Sequence, residues 1–180
     1  MFGPVPILNH AAGQQPRRYL FDNSGGETRR YFFHKERIEI MAEYTNSAIV
    51  TVAAGQNVPL TEEANTGKPC IVHREGAGLV TLRGLTNQCR AKFKVSFGAN
   101  IAIPTGGTVE AITAAISING EALNASTATV TPAAAEDFFN IYVSAVVDVP
   151  RGCCITVAAK NTSTQPILVA NSNFIVERTA

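Results

Sequence analysis

Cysteine and histidine are the residues of this chain best able to bind a metal or act as nucleophiles, and both are sparse. The cysteines are Cys70, Cys89, Cys153 and Cys154, and the histidines are His10, His34 and His73. Zinc sites need such residues in closely spaced pairs. Adjacent residues of a strand point to opposite faces, so Cys153 and Cys154 would chelate one ion poorly. We therefore predict no metal and no cofactor. The cysteines are interpreted as small buried apolar residues, or as a disulfide joining Cys70 or Cys89 to one of the adjacent pair.

No pattern of the common catalytic motifs occurs either. The neighbouring carboxylates Glu62-Glu63 and Glu136-Asp137 fall in predicted loops with no partner residue. The glycine-rich segments lack the lysine and hydroxyl residue of a phosphate-binding loop, and no Gly-x-Ser-x-Gly motif is found. A metalloenzyme of the double-sheet β class would need clustered histidines and carboxylates. We predict that the protein is not an enzyme and has no catalytic residues.

The elements that would position any site are strands. From Asn46 onward, short apolar stretches recur every 8–12 residues with turn residues between them, which is typical of an all-β sandwich or barrel. Residues 88–97 and 138–149 alternate apolar and polar residues, as half-buried strands do. Asn119-Gly120 favours a tight hairpin turn, because both central residues of a type I′ turn need positive φ. We predict an antiparallel jelly roll of about eight to ten strands, with one helical turn at residues 132–137.

The chain has 180 residues, of which 46% are hydrophobic and 16% charged, with a formal net charge of +1. These values exclude a disordered tail protein, and no apolar stretch approaches the roughly 20 residues that cross a bilayer. We predict no membrane association and no specific nucleic-acid partner. The polar face of residues 88–97 carries Arg90, Lys92 and Lys94. These cations form a solvated face or contact nucleic acid or an acidic partner.

Two regions of different character predict two parts, an N-terminal arm at residues 1–45 and a β-sandwich domain at residues 46–180. The arm contains two similar basic and aromatic segments on either side of Asn23-Ser24-Gly25-Gly26. It is interpreted as two short strands or as an extended arm that orders against a partner; residues 33–44 could form a short helix. The predicted partner-binding residues of the arm are Arg17, Arg18, Tyr19, Phe21, Arg29, Arg30, Tyr31, Phe32 and Phe33.

Residues 109–149 carry small apolar side chains on both predicted strand faces, and the chain has no Lys or Arg between Lys94 and Arg151. A strand that is apolar on both faces is buried on both faces. This pattern favours contact between subunits over a lone monomer. The predicted interface residues are Ala111, Ala115 and Val146.

Five segments carry a family resemblance: residues 71–76, 78–85, 115–121, 149–154 and 173–178. They resemble the C1q/TNF-like jelly rolls found in structural proteins of phages and prophages of gut Firmicutes. The resemblance covers residues 53–180. It implies a compact homotrimer displayed on a virion and made in the bacterial host cytoplasm. The expected role is capsid decoration or a head fibre, with the arm bound to a major capsid or other virion protein. The alternative is a receptor- or glycan-binding fibre module that uses loops 61–68 and 161–165, which contain no aromatic residue.

Overall fold

The computed structural model describes residues 40–65 and 69–180, and within these ranges it is nearly all β. The predicted arm-binding residues Arg17, Arg18, Tyr19, Phe21, Arg29, Arg30, Tyr31, Phe32 and Phe33 lie outside the described residues. The strands, numbered in chain order, are β1 (Ile40–Asn46), β2 (Val50–Val52), β3 (Glu62–Asn65), β4 (Ile71–His73), β5 (Val80–Arg83), β6 (Arg90–Ala102), β7 (Ile112–Ile118), β8 (Glu121–Ala122), β9 (Ala128–Val130), β10 (Phe139–Pro150), β11 (Cys154–Asn161) and β12 (Ile167–Arg178).

The strands form two antiparallel sheets that pack face to face. Sheet 1 has the order β10-β6-β12-β1-β3, with β2 paired to β12. Sheet 2 has the order β4-β5-β11-β7-β8, with β9 paired to β7. In both sheets the central pairs join strands that are distant in sequence, such as β6 with β12 and β5 with β11, as in jelly rolls. The prediction of an all-β antiparallel sandwich is confirmed.

One hydrophobic core fills the space between the sheets. Sheet 1 contributes Tyr44, Phe93, Phe97 and Phe174, each at most 1% exposed, and the rings of Phe97 and Phe174 lie 6.4 Å apart. Sheet 2 contributes aliphatic side chains such as Leu82 and Ile116. Burial of apolar area at about 25 cal/mol per Å² is the main stabilising contribution in such a core. The alternation predicted for residues 88–97 and 138–149 is observed in β6 and β10, whose apolar residues mostly face this core.

The boundary predicted at residue 45 needs correction. Ile40 to Thr45 form most of β1, which pairs along its whole length with β12, from Ile40 opposite Arg178 to Asn46 opposite Ser172. The helix considered for residues 33–44 is therefore wrong from residue 40 onward. Ala42 and Tyr44 face the core, and the polar Glu43 between them faces outward. The outward position of the apolar Met41 obscured this period of two in the sequence. The sandwich thus begins by Ile40.

Turn residues account for two further differences from prediction. The segment at 132–137 is not helical, since Glu136 has a φ of 65° and donates its N–H to Ile103 O at 2.8 Å. A short 3-10 turn instead occupies Asn124–Ser126, between β8 and β9. The Asn119-Gly120 hairpin turn is confirmed, with positive φ at both residues. Gly84 is required by close packing, because a Cβ there would clash with Pro150 O.

Candidate assembly interface on sheet 1

The outward side chains of β10 form the most exposed apolar strand face among the described residues. Tyr142 is 62% exposed and Val146 is 67% exposed, and they alternate with buried Ile141, Val143 and Val147. Among the described strands, β10 is an edge strand of sheet 1 and pairs only with β6. An edge strand of this kind presents its backbone and this apolar face together to another chain.

The neighbouring strand, β6, presents small residues beside this face. Tyr142 pairs with Gly98 of β6, and Ser144 pairs with Ser96. A Cβ on Gly98 would lie 3.7 Å from Tyr142 Cδ2, so the tyrosine ring lies beside the bare backbone of Gly98. Glycine and serine leave no bulky side chain here. A second protein surface can therefore approach the sheet closely.

An unsatisfied acceptor lies on the same face. Asn173 of β12 pairs with Gly98, next to a register shift between Ala170 and Asn173. Its Nδ2 donates to Glu43 Oε1 at 2.7 Å, but its buried Oδ1 has no hydrogen-bond partner among the described residues. A buried polar atom without a partner destabilises a fold by about 1–3 kcal/mol.

We define the β10 face as the outward side chains Tyr142, Ser144 and Val146 of β10, together with Gly98 of β6 and Asn173 of β12 beside them. It combines an exposed aromatic ring, an exposed aliphatic side chain and small neighbouring residues. Cores of protein–protein interfaces have this composition, with aromatic anchors and few charges. Scattered surface apolar residues are common, but here two of them are neighbours on one strand face.

The predicted interface residues do not form one surface. Val146 belongs to the β10 face, but Ala111 lies before β7 of sheet 2, where it is exposed. Ala115 has no exposed surface in the protomer, so the expectation that it faces a partner is wrong. Its methyl group lies beside the longer side chain of Lys160, its register partner in β11, whose Nζ reaches Gly120 O. Sequence reasoning missed Tyr142, although its polar-face position in the alternation of β10 marked it as outward.

The loops of the alternative binding role are described only in part. Residues 66–68 lie outside the described residues. Polar groups of loop 161–165 form hydrogen bonds within the protomer. Thr162 Oγ1 donates to Thr113 Oγ1 at 2.7 Å, and Gln165 Nε2 donates to Thr108 O at 2.7 Å. Few of this loop's groups remain to recognise a glycan.

The described residues bring together no metal-binding or catalytic constellation. No group of three or more His, Cys, Asp and Glu residues among them is arranged to hold an ion. A shallow groove of about 460 Å³ beside β2 is lined by residues such as Thr51, Gln56 and Asn57, with no charged or aromatic side chain. The four cysteines, all described, are free thiols; Cys70 is buried and the other three are exposed. No helix in the described part of the chain is long and apolar enough to cross a membrane.

His73, the one histidine among the described residues, has a structural position. It ends β4, as expected of a strand-end residue, and its side chain is fully buried. Nδ1 lies 3.2 Å from Glu63 Oε1, and Nε2 lies 2.9 Å from Ala77 O. Its ring packs at 4.4 Å on the ring of Tyr44. His73 therefore joins sheet 2 to β1 and β3 of sheet 1.

The fold is similar to solved structures of TNF-type proteins. Eiger TNF from S. frugiperda matches with a TM-score of 0.56 and 14% identity, over 79% of this chain and 93% of that one. Murine APRIL matches with a TM-score of 0.53 and 11% identity, over 77% of this chain and 98% of that one. The fold is a TNF-like jelly roll. No family model and no curated protein matches the sequence. At these identities the similarity establishes the architecture alone.

Proposed function

We propose that this protein is a non-catalytic structural component of a bacteriophage particle, a homotrimer of TNF-like jelly rolls that decorates a capsid or forms a head fibre. The β10 face carries this proposal, because it presents exposed Tyr142 and Val146 on an edge strand beside the small residues of β6. The phage setting rests on the sequence resemblance over residues 53–180. The N-terminal segment is the proposed anchor to the particle.

The position of the β10 face favours a ring of subunits. An edge strand on one copy and the flat sheet beside it are different surfaces, so a contact between them is heterologous. Repeated heterologous contacts close into a ring when the rotation fits a whole number of copies. Three copies is the number that the resemblance implies.

Light scattering behind a sizing column tests the assembly. The full-length protein should have a mass of three times 19.1 kDa. Tyr142→Ser with Val146→Ser should reduce the mass to that of one chain, because both exposed apolar anchors are lost. The matched control is Ile49→Ser with Val109→Ser, two other apolar residues that are 63% and 54% exposed. A single-chain mass for the unmodified protein, or loss of the trimer in the control alone, would refute the proposed interface.

The anchor is tested by removing residues 1–39, since β1 begins at Ile40. The truncated protein should keep its assembly state and its strand content by circular dichroism, but should no longer co-sediment with phage particles. A truncated protein that still decorates particles would rule out the anchor while leaving the assembly untouched.

A further inference from the structure

The described cations are concentrated at one end of the sandwich. Arg90 begins β6 and pairs with Pro150, the last residue of β10. Arg151 follows in the next turn and donates its N–H to Cys89 O at 3.0 Å. Arg83 ends β5 of sheet 2 and pairs with Cys154. Residues from both sheets therefore converge here, and we define the basic end as Arg83, Arg90, Lys92, Arg151 and Arg178.

Among the described residues, the charge of the basic end is weakly compensated. The carboxylate that lies among these cations is Asp148, which pairs with Lys92 in the ladder and lies 3.9 Å from Arg90 Nη1. Glu177 lies further along the sheet, opposite Lys94. Arg83, Arg90, Lys92 and Arg151 are all exposed. Like charges held close together on a surface create a positive potential that attracts an anionic partner.

The opposite end of the sandwich has the reverse charge. Glu110, Glu136 and Asp137 lie near the junctions of β6 with β7 and β9 with β10, and Lys160 lies one residue before the end of β11. The sequence places no Lys or Arg in residues 95–150 or 161–169, which supply most of this end. The domain is therefore polarised along its strands, although the whole chain has a net charge of only +1.

Chain connectivity points to the same end. Ile40, where the described N-terminal part begins, pairs with Arg178, the last residue of β12. The 39 residues that precede Ile40 are therefore joined to the domain at its basic end. In a ring with rotational symmetry about one axis, the basic ends of all copies point in the same direction, so their weak contacts act together.

We propose that the basic end binds an acidic protein surface. Three of its four exposed cations are arginines, whose planar guanidinium groups bind carboxylates with two parallel hydrogen bonds. Leu85, 51% exposed, lies next to them and adds an apolar contact. Combined with the proposed function, on which this step rests, the basic end faces the particle shell and the acidic end faces outward.

Two features of the basic end favour a protein over a nucleic acid. Asp148 lies among the cations, where it would repel the uniformly anionic backbone of a nucleic acid, whereas a protein surface can place a cation beside it. Among the described residues, the basic end also lacks the aromatic side chains on which single-stranded bases stack.

The test measures binding of the full-length protein to fluorescent poly-L-glutamate by anisotropy, at about 50 mM and at about 150 mM NaCl, where screening differs. Binding should weaken as salt rises. Arg83→Ala with Arg90→Ala and Arg151→Ala should raise Kd by about tenfold or more, since three charge-assisted contacts are lost. The matched control, Thr131→Glu with Ala133→Glu and Ala134→Glu, changes the net charge by the same amount at exposed positions of the opposite end. It should change Kd by less than about twofold.

Three results would overturn the proposal: no binding to polyglutamate, equal losses in both variants, or tighter binding to duplex DNA than to polyglutamate. Light scattering on the same samples keeps this test separate from the proposed function. A protein that forms the trimer but fails to bind polyglutamate refutes the basic-end inference alone. A monomeric protein that binds polyglutamate refutes the trimer alone.

Discussion

The two sheets are stabilised differently. Sheet 1 contains strands of 13, 12 and 12 residues, β6, β10 and β12, paired in long ladders. The longest strand of sheet 2, β11, has 8 residues. In sheet 2, side chains also complete the hydrogen bonding, since Ser126 Oγ accepts the Ile116 N–H at 3.1 Å on the side of β7 between its pairings with β8 and β9. Asn119 Oδ1 similarly accepts the Thr156 N–H at 2.9 Å.

We infer from this difference that the side-chain bonds of sheet 2 serve folding of the protomer, whereas the outer face of sheet 1 serves assembly. The side chains that complete sheet 2 satisfy its irregular backbone within the protomer. Sheet 1 satisfies its backbone by ladders and leaves the outward side chains of Tyr142 and Val146 exposed on its surface. A regular sheet with an open edge suits repeated contact with identical copies. The predictions below test this assignment, in decreasing order of their effect on protomer stability.

The largest effect is expected in the aromatic core of sheet 1. Phe97→Ala should lower the free energy of unfolding by about 3–5 kcal/mol, because a fully buried ring leaves a cavity next to Phe174. Urea unfolding followed by circular dichroism measures the change. Val146→Ala on the same sheet, but facing outward, is the control and should change protomer stability by less than about 0.5 kcal/mol. Equal losses in the two variants would contradict the assignment of faces.

A smaller loss is expected from a polar junction between the sheets. Asn161 is fully buried at the end of β11, and its Nδ2 donates to Val52 O and Gln165 O at 3.0 Å each. Asn161→Ala should destabilise the protein by about 1–3 kcal/mol, since buried carbonyls lose their donor. Thr164→Ala, an exposed neighbour in the same loop, is the matched control in thermal unfolding. A loss for Asn161→Ala as small as that of the control would show that water replaces the amide.

Removal of the His73 side chain should lower protein stability by as much as Asn161→Ala or by less. His73→Ala removes the ring that packs on Tyr44 and the hydrogen bonds to Glu63 and Ala77 O. We expect a loss of about 1–2 kcal/mol, confined to the edge where β3 meets β4. Amide hydrogen exchange should show faster exchange in β1 and β4 than in β6. Uniformly faster exchange in all strands would contradict a local role.

The smallest effect on the protomer, and the largest on assembly, is expected at the β10 face. Tyr142→Ser should change the intrinsic stability of the protomer by less than about 0.5 kcal/mol, because Tyr142 is exposed. The unfolding midpoint of the unmodified protein should rise with protein concentration, since association stabilises the folded chain. That dependence should disappear in Tyr142→Ser. If the midpoint of the unmodified protein does not vary with concentration, the proposed role of the β10 face in assembly is wrong.

Regular alternation made much of the fold predictable. The strands predicted at residues 88–97 and 138–149 correspond to β6 and β10, and the turn predicted at Asn119-Gly120 is observed. These predictions succeed because the local pattern agrees with the tertiary environment at these positions. β1 and β3 were not predicted. Three of the seven residues of β1, namely Ala42, Tyr44 and Asn46, are buried, and its pattern becomes clear only when β12 is placed beside it.

The candidate site was predicted only in part. Val146 was singled out for its small apolar side chain in a strand, but the same argument selected Ala115, which the protomer buries. Sequence alternation shows on which face a residue lies, but not whether a neighbouring side chain covers that face. Tyr142 and Asn173 come from β10 and β12, which lie on either side of β6, so no local pattern connects them.

The sequence alone determined the all-β class, the hairpin at Asn119-Gly120 and the inward faces of the long strands, because period-two burial and turn geometry are local properties of the chain. It did not determine which strands are neighbours. Only the tertiary structure brought β12 between β1 and β6, placed Arg83 at the same end as Arg90 and Arg151, and brought Tyr142 and Asn173 to one face on either side of Gly98. These arrangements depend on pairings between strands far apart in sequence, which the packing of two complete sheets selects.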